Sequence, residues 1–193
     1  MRQFALTFVL LILGACRAEE AARPAPVPMT EEVVGHYCQM DLFEHPGPKA
    51  QVHLDGMPHP LFFSQVRDAV AYQRMPEQSA VIAAVYVNDM GAPEATWEQP
   101  GAENWVPADI AFYVVGSDTV GGMGAPELVP FAEETDAAAF AVANGGRVLR
   151  LDDIADTEVL SPVEIGEGHH AHGAESGEEA DYRARLDALG AGG

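Results

Sequence analysis

The order of apolar and polar positions between residues 33 and 160 predicts two groups of strands and helices. In the first group, apolar residues recur at helical spacing over residues 65–74, which predicts a helix there. Ser64 is its predicted N-cap, and Pro76 ends it. Short runs with strand character, bounded by turn residues, surround this helix. They lie at residues 39–44, 50–55 and 80–87.

The second group follows a similar order. A helix is predicted over residues 136–143, and Gly145-Gly146 closes it. Strands are predicted at residues 110–115, 127–131 and 147–151.

An internal repeat explains this similarity. The pentapeptide Met-Gly-Ala-Pro-Glu occurs twice, at 90–94 and 123–127, but its copies fall at different places in the two groups. The parallel order of strands and helices is therefore the better guide. It predicts an α+β fold of two similar ββαβ units, at residues 33–104 and 105–160.

The N-terminus predicts export and lipid attachment. Arg2 precedes an apolar stretch that is too short to span a bilayer, and Leu13-Gly14-Ala15-Cys16 is typical of a bacterial lipobox. On this interpretation residues 1–15 are a signal peptide and Cys16 carries the lipid. The alternative is an ordinary signal peptide, with Cys16 retained and available to pair with Cys38. Arg17, where Asp would favour inner-membrane retention, indicates the outer membrane.

Composition predicts two flanking segments without fixed structure. Residues 16–32 are rich in Ala, Pro and Glu and would form a disordered tether. Residues 161–193 form an acidic tail that contains histidines, in which residues 181–189 suit a helix too short to be stable alone.

Charge and motifs exclude several classes of function. The formal net charge is -20, which argues against nucleic-acid binding and against anionic lipid surfaces. The sequence has no Ser-His-Asp order and no phosphate-binding glycine loop, so we do not expect an enzyme.

Cys38 and Met40 are the strongest candidate metal ligands. The chain has 2 cysteines, and lipidation of Cys16 would leave Cys38 as a lone thiol in an exported protein. A thiolate and a thioether are soft ligands that suit Cu(I). On a strand, residues two apart share a face with Cα atoms roughly 6–7 Å apart, so both sulfurs would converge on one ion. The competing interpretation is that both side chains pack in the core.

Met123 is the first candidate for a third ligand. It lies in Gly121-Gly122-Met123-Gly124, a predicted flexible loop in which a methionine has little packing purpose. Met57, in the corresponding loop of the first unit, and His36, close to Cys38, are the alternatives.

The tail offers a separate group of metal ligands. His169, His170 and His172 lie among glutamates and suit weak binding of Cu(II), Zn(II) or Ni(II). A solvated acidic tail is the other interpretation. The alternative function is therefore an envelope lipoprotein that stores Zn(II) or Cu(II) through this tail.

A series of short motifs resembles the NosL family, the copper-binding accessory lipoproteins of nitrous oxide reductase. The resemblance covers residues 30–160 and the lipobox, and the order of the motifs makes it specific. The motifs are Cys38-Gln39-Met40, the run from Glu44 to Gln51, Phe63-Ser64, Arg67-Asp68-Ala69, the run from Tyr86 to Gly91, Trp105, the run from Gly121 to Glu127 and the run from Gly145 to Val148.

The resemblance implies a Cu(I) metallochaperone with paired ββαβ domains, a fold feature shared with organomercurial lyase. It implies that copper passes to the tetranuclear copper-sulfide cluster of nitrous oxide reductase, with the apoprotein and the NosDFY membrane complex as partners. Cys38 and Met40 match the Cys-x-Met motif of the family, and Met123 matches its glycine-flanked methionine. The histidines of the tail are not part of that pattern.

Overall fold

The described part of the protein contains two antiparallel sheets and several helices, and one helix shares a buried cluster with strands of both sheets. The computed structural model describes residues 23–76 and 78–163. The strands are β1 (Ala50–Leu54), β2 (Leu61–Phe63), β3 (Ile82–Asn88), β4 (Trp105–Pro107), β5 (Phe112–Val115), β6 (Val129–Phe131) and β7 (Arg147–Arg150). The helices are α1 (Val66–Arg74), α2 (Glu134–Asn144) and α3 (Asp156–Leu160).

The two sheets confirm the predicted α+β fold with two ββαβ units. The first sheet has the strand order β2-β1-β3-β4, and the second has the order β6-β5-β7. In each unit the first strand therefore lies between the second and third. The registers correspond as well, since Ala50 of β1 pairs with both Phe63 and Val87, while Phe112 of β5 pairs with both Phe131 and Arg150.

The strand predicted at residues 39–44 was wrong. Gln39 has a positive φ of 56°, which breaks an extended chain. Asp41 then accepts a hydrogen bond from the main-chain N–H of Phe43, and a short 3-10 helix forms at Leu42–Glu44. Only an isolated bridge between Val34 and Asp41 remains. The two first strands of this unit are β1 and β2, and the prediction missed β2.

Two further predictions about the first unit need correction. The N-cap of α1 is Gln65 rather than Ser64, and the Gln65 side chain makes no capping hydrogen bond. The predicted boundary at residue 105 assigned β4 to the second unit, but β4 pairs with β3 in the first sheet. Backbone pairing, which apolar patterning does not specify for so short a strand, sets this boundary.

Helix α1 forms the centre of the main core. Val66, Ala69 and Val70 are fully buried and share a cluster with Val52 of β1 and Tyr113 of β5. Residues alternate between the two faces of β5, so Tyr113 and Val115 face this cluster, while Val114 packs in a second cluster with Phe140 of α2. The two units therefore share one core.

An ordered N-terminal strap, residues 23–29, covers the other face of the first sheet. Arg23 forms an ion pair with Asp109, and the hydrogen bond of this pair holds the pKa of the Asp109 carboxyl below its ordinary value. The main chain of Val27 exchanges two hydrogen bonds with the Gln51 side chain, at 2.8 and 3.0 Å. Met29 is buried. The predicted tether is thus wrong where it includes residues 23–29.

Other predictions concern residues outside the described part of the chain. They are the signal peptide at 1–15, the lipidated Cys16, residues 17–22 of the tether and, beyond Val163, the tail with His169, His170 and His172. Among the residues that the structure describes, no helix is both long and apolar enough to cross a membrane.

Candidate metal site

Cys38 lies in a hydrogen-bonded turn rather than on a strand. The N–H of Gly35 donates to the carbonyl of Met40 at 3.0 Å, and the N–H of Gln39 donates back to the carbonyl of Gly35 at 2.9 Å. The strand geometry predicted for Cys38 and Met40 was therefore wrong. A closed turn nevertheless keeps both residues on one short loop, and 42% of Met40 stays exposed.

The Cys38 thiol is held against two small residues. Its sulfur lies 3.7 Å from the Ser64 hydroxyl oxygen, at the start of α1. A Cβ atom placed on Gly35 would meet the same sulfur at 2.5 Å, so glycine is required for this close approach. Cys38 is half-buried, and it is a free thiol among the residues described. It is therefore neither a fully buried core residue nor a freely exposed one.

The loop that carries Met123 is a tight turn, not the flexible segment that its glycines predicted. The N–H of Gly124 donates to the carbonyl of Gly121, and the N–H of Gly121 donates to the carbonyl of Ala125. Gly124 has a φ of +82°, which favours glycine. A Cβ on Gly122 would meet the Pro46 carbonyl oxygen at 2.8 Å. The glycines thus let the loop pack closely on the first unit.

Residues at the start of α1 contact both the Cys38 turn and the Met123 loop. Ser64 contacts the Cys38 sulfur, and the next residue, Gln65, accepts a 2.9 Å hydrogen bond from the main-chain N–H of Met123. Because 38% of Met123 is exposed, its thioether is not consumed by core packing. Cys38, through its sulfur, and Met123, through its main chain, therefore contact consecutive residues at the N-terminus of α1.

Buried charges lie behind these two loops. The Lys49 ammonium donates to the carbonyl oxygens of His45, Pro46 and Gly47. Burial lowers the Lys49 pKa to about 8, although the negative charges of Glu127 and Cys38 act to raise it. Burial likewise raises the pKa of Glu127 to about 8. Both groups would favour their neutral forms more than they do in water.

The structure separates Met57 from the other candidates. It lies in the turn after β1, whereas Ser64 follows β2 at the other end of the same hairpin. His36 is close in sequence to Cys38, but its ring packs against Tyr37, Phe63 and Tyr72, with centroids 5.2–5.6 Å apart. Neither Met57 nor His36 has a hydrogen bond to Gln65 such as the one that holds the main chain of Met123.

A cleft of about 930 Å³ adjoins the Met123 loop. His45 lines it, and Nδ1 of its ring lies 3.3 Å from the carbonyl oxygen of Gly122. Nitrogen and oxygen ligands do not gather there or elsewhere in residues 23–76 and 78–163, where no three His, Cys, Asp or Glu side chains form a metal-binding group.

The sequence analysis missed Lys49, Gln65 and Glu127. Glu127 carried one signal, because it stands alone in the otherwise apolar run of Pro126 to Pro130, where an acidic residue needs buried partners. Lys49 and Gln65 carried no comparable signal. Their roles depend on which loop the fold brings to them.

Comparison with known sequences identifies the family. The family model described as NosL matches residues 26–159, which is more than half of the chain. The chain belongs to the NosL family.

Known NosL proteins resemble the chain over most of its length. The copper-binding lipoprotein NosL of Achromobacter cycloclastes is 58% identical over 180 residues, which is 93% of this chain and 90% of that protein. The copper-binding lipoprotein NosL of Stutzerimonas stutzeri is 37% identical over 154 residues, covering 77% and 78% of the two chains.

A solved NosL structure has the same fold. The crystal structure of the copper chaperone NosL from Shewanella denitrificans matches with a TM-score of 0.63 and 30% identity. The match covers 70% of this chain and 98% of that one. The arrangement of two ββαβ units predicted for this NosL protein thus agrees with a solved member of its family.

Proposed function

We propose that this chain is a lipid-anchored Cu(I) metallochaperone that supplies copper for the tetranuclear copper-sulfide cluster of nitrous oxide reductase. Its membership of the NosL family supports copper binding, since both relatives are named copper-binding lipoproteins. One structural observation carries the proposal. The Cys38 turn and the Met123 loop, from different units, contact the consecutive residues Ser64 and Gln65.

The donor set favours Cu(I). Cys38 supplies a thiolate, and Met40 and Met123 supply thioethers; all three are soft ligands. Cu(I) accepts two or three sulfur ligands, whereas Zn(II) prefers four ligands of nitrogen, sulfur or oxygen. Met40 and Met123 are partly exposed, so a ligand from another protein can approach the ion and replace them in turn. Copper is then cargo, and the protein acts as a carrier rather than an enzyme.

The location and the partners belong to the same proposal. Lipid on Cys16 would hold the protein in the cell envelope, facing the periplasm, at the outer membrane. The nitrous oxide reductase apoprotein and the NosDFY membrane complex are its proposed partners in copper transfer.

Anaerobic titration of the mature chain with Cu(I), in competition with a chromophoric Cu(I) chelator, tests the proposal. We expect one tight site in the wild type and its loss in Cys38→Ser, because serine nearly matches the volume of cysteine but lacks a soft donor. Met57→Leu is the matched control, since Met57 lies at the far end of the hairpin. Equal competition by wild type and Cys38→Ser would reject Cys38 as a ligand.

A second variant tests the storage alternative. Replacing His169, His170 and His172 by alanine removes the tail imidazoles but leaves every sulfur in place. The proposed chaperone site should keep its Cu(I) affinity. Loss of the tight site in this triple variant, with Cys38→Ser unaffected, would favour metal storage by the tail.

A further inference from the structure

The side chain of Gln65 is buried, with 2% exposure, and both ends of its amide are used. Its oxygen accepts the main-chain N–H of Met123 at 2.9 Å, and its nitrogen donates to the Asp68 carboxylate at 3.2 Å. Asp68 lies on α1, in the same unit as Gln65, whereas Met123 belongs to the other unit. The Gln65 side-chain amide therefore links the two units, and its hydrogen bond to Asp68 fixes its orientation.

Gln65 occupies the N-cap position of α1 but does not cap the helix. The capping role falls to Glu127, whose Oε1 accepts the N–H of Arg67 at 3.0 Å. This exchange frees the Gln65 amide to hold the Met123 loop. The Met123 loop also packs closely against that amide. A Cβ atom placed on Gly121 would meet the Gln65 oxygen at 2.5 Å.

We propose that Gln65 is a positioning residue that sets the Met123 thioether beside the Cys38 thiol. This inference rests on the proposed Cu(I) site. Methionine has a flexible side chain, so the place of its sulfur depends on where the main chain is fixed. Gln65 fixes that main chain, and the adjacent Ser64 contacts the Cys38 sulfur. The start of α1 thus sets the separation between ligands from the two units.

Loss of the Gln65 acceptor has a specific consequence for the metal. Cys38 and Met40 lie on their own turn and would remain in place. Met123 would lose its fixed position, which leaves an ion with fewer sulfur ligands and an easier approach for a competing ligand. We expect release of Cu(I) to be on the order of tenfold faster, as the loss of one buried hydrogen bond allows.

Two substitutions separate positioning from packing. Gln65→Leu keeps a similar volume but removes the acceptor. The double variant Gln65→Glu, Asp68→Asn keeps an acceptor for Met123 and reverses the polarity of the second hydrogen bond without changing the net charge of the pair. X-ray absorption should count one sulfur fewer on Cu(I) in Gln65→Leu and a restored count in the double variant.

A combination with Met123→Ala tests the route of the effect. If Gln65 acts through Met123, Gln65→Leu should not change the release rate further in a Met123→Ala background. Additive effects of the two substitutions, or a wild-type sulfur count and release rate in Gln65→Leu, would overturn the inference. A wild type that binds no Cu(I) through sulfur would instead reject the proposed function, and the inference with it.

A metal-free measurement covers the case in which Gln65→Leu folds poorly. Gly121→Ala leaves the Gln65 residue unchanged, but the new Cβ would lie 2.5 Å from the Gln65 oxygen and 2.6 Å from a Glu127 carboxylate oxygen, so the loop and these side chains must move apart. In the apoprotein, hydrogen exchange of the Met123 amide should be slow in the wild type and faster in this variant. Fast exchange of that amide in the wild type would show that Gln65 does not hold the loop.

Discussion

Glu127 of the second unit caps the central helix of the first, since its Oε1 accepts the main-chain N–H of Arg67 at 3.0 Å. The same oxygen accepts the N–H of Leu128 at 2.9 Å. The bond to Arg67 joins the two units and is lost if they separate, whereas the bond to Leu128 is local to the second unit. Together with the shared core around α1, this cap makes the two units interdependent for stability.

The buried Glu127 carboxyl should make stability depend on pH. Its pKa is about 8 in the folded protein, against an ordinary value of 4.5, mainly because of burial. The folded state therefore holds more protons between these values, and the free energy of unfolding should fall as pH rises from about 4.5 to about 8. Glu127→Gln keeps the capping oxygen and should remove most of this fall, which is of order a few kcal/mol.

Denaturant unfolding of both proteins at pH 5 and pH 8 measures this difference. Burial lowers the pKa of Lys49 to about 8, so its own effect appears mainly above that pH, where it raises the free energy of unfolding as pH rises. Glu127→Ala is the control for the cap, because it should destabilise at both pH values. Parallel loss of stability with pH in wild type and Glu127→Gln would contradict the assignment.

Met123→Ala should weaken Cu(I) binding much less than Cys38→Ser does. A thioether is a weaker ligand than a thiolate, and Met40 would still accompany Cys38. Release should be faster, because the ion becomes more open to an incoming ligand. In a host strain, nitrous oxide should accumulate under copper limitation and decline when copper is added. Affinity, release rate and sulfur count all equal to wild type would exclude Met123, and His36 and Met57 would be examined next.

Gly35→Ala should impair the Cu(I) site although it replaces none of the proposed ligands. The added Cβ would lie 2.5 Å from the Cys38 sulfur, so the thiol must move away from Ser64. Gly91→Ala is a matched control, since its Cβ would be crowded by Asp136 at 2.7 Å in a different part of the fold. Chelator competition should show weaker binding for Gly35→Ala alone. Similar losses in both variants would point to general destabilisation.

Cys16 should carry lipid in the native protein. Mass spectrometry of the N-terminal peptide should show a diacylglyceryl group and an N-acyl chain on Cys16, because a single chain anchors only marginally. Cys16→Ala should release the protein into the soluble fraction. A mature chain that begins elsewhere, with unmodified Cys16, would reject the lipobox.

The sequence predicted the parts of the fold that depend on local periodicity. Apolar runs bounded by turn residues predicted β1, β3 and β5, and helical spacing predicted α1, although the strand predicted at residues 39–44 stood in place of β2. The turn around Cys38 was missed, because the Asp41 side chain and the positive φ of Gln39 override strand propensity there. The strap was missed for another reason. Its stability comes from partners such as Gln51 and Asp109, which its own composition does not reveal.

The candidate site divides in the same way. Residue type and spacing were enough to choose Cys38, Met40 and Met123, and their assignment as ligands stays a prediction. The supporting residues could not be chosen in this way. Gln65 meets Met123 across 58 positions of sequence, and Glu127 meets Arg67 across 60, so only the folded chain brings them together.

Because the strap is packed on the first sheet, the tether between Cys16 and the fold is shorter than the sequence predicted. If Cys16 is anchored in a bilayer, only six residues separate it from the fixed Arg23, which allows a reach of roughly 25 Å. Pro24 lies by Leu54 at one end of β1, and the Cys38 turn lies by Ser64 at the other. The Cys38 thiol would then lie at the end of β1 that is farther from the point where the tether joins the fold.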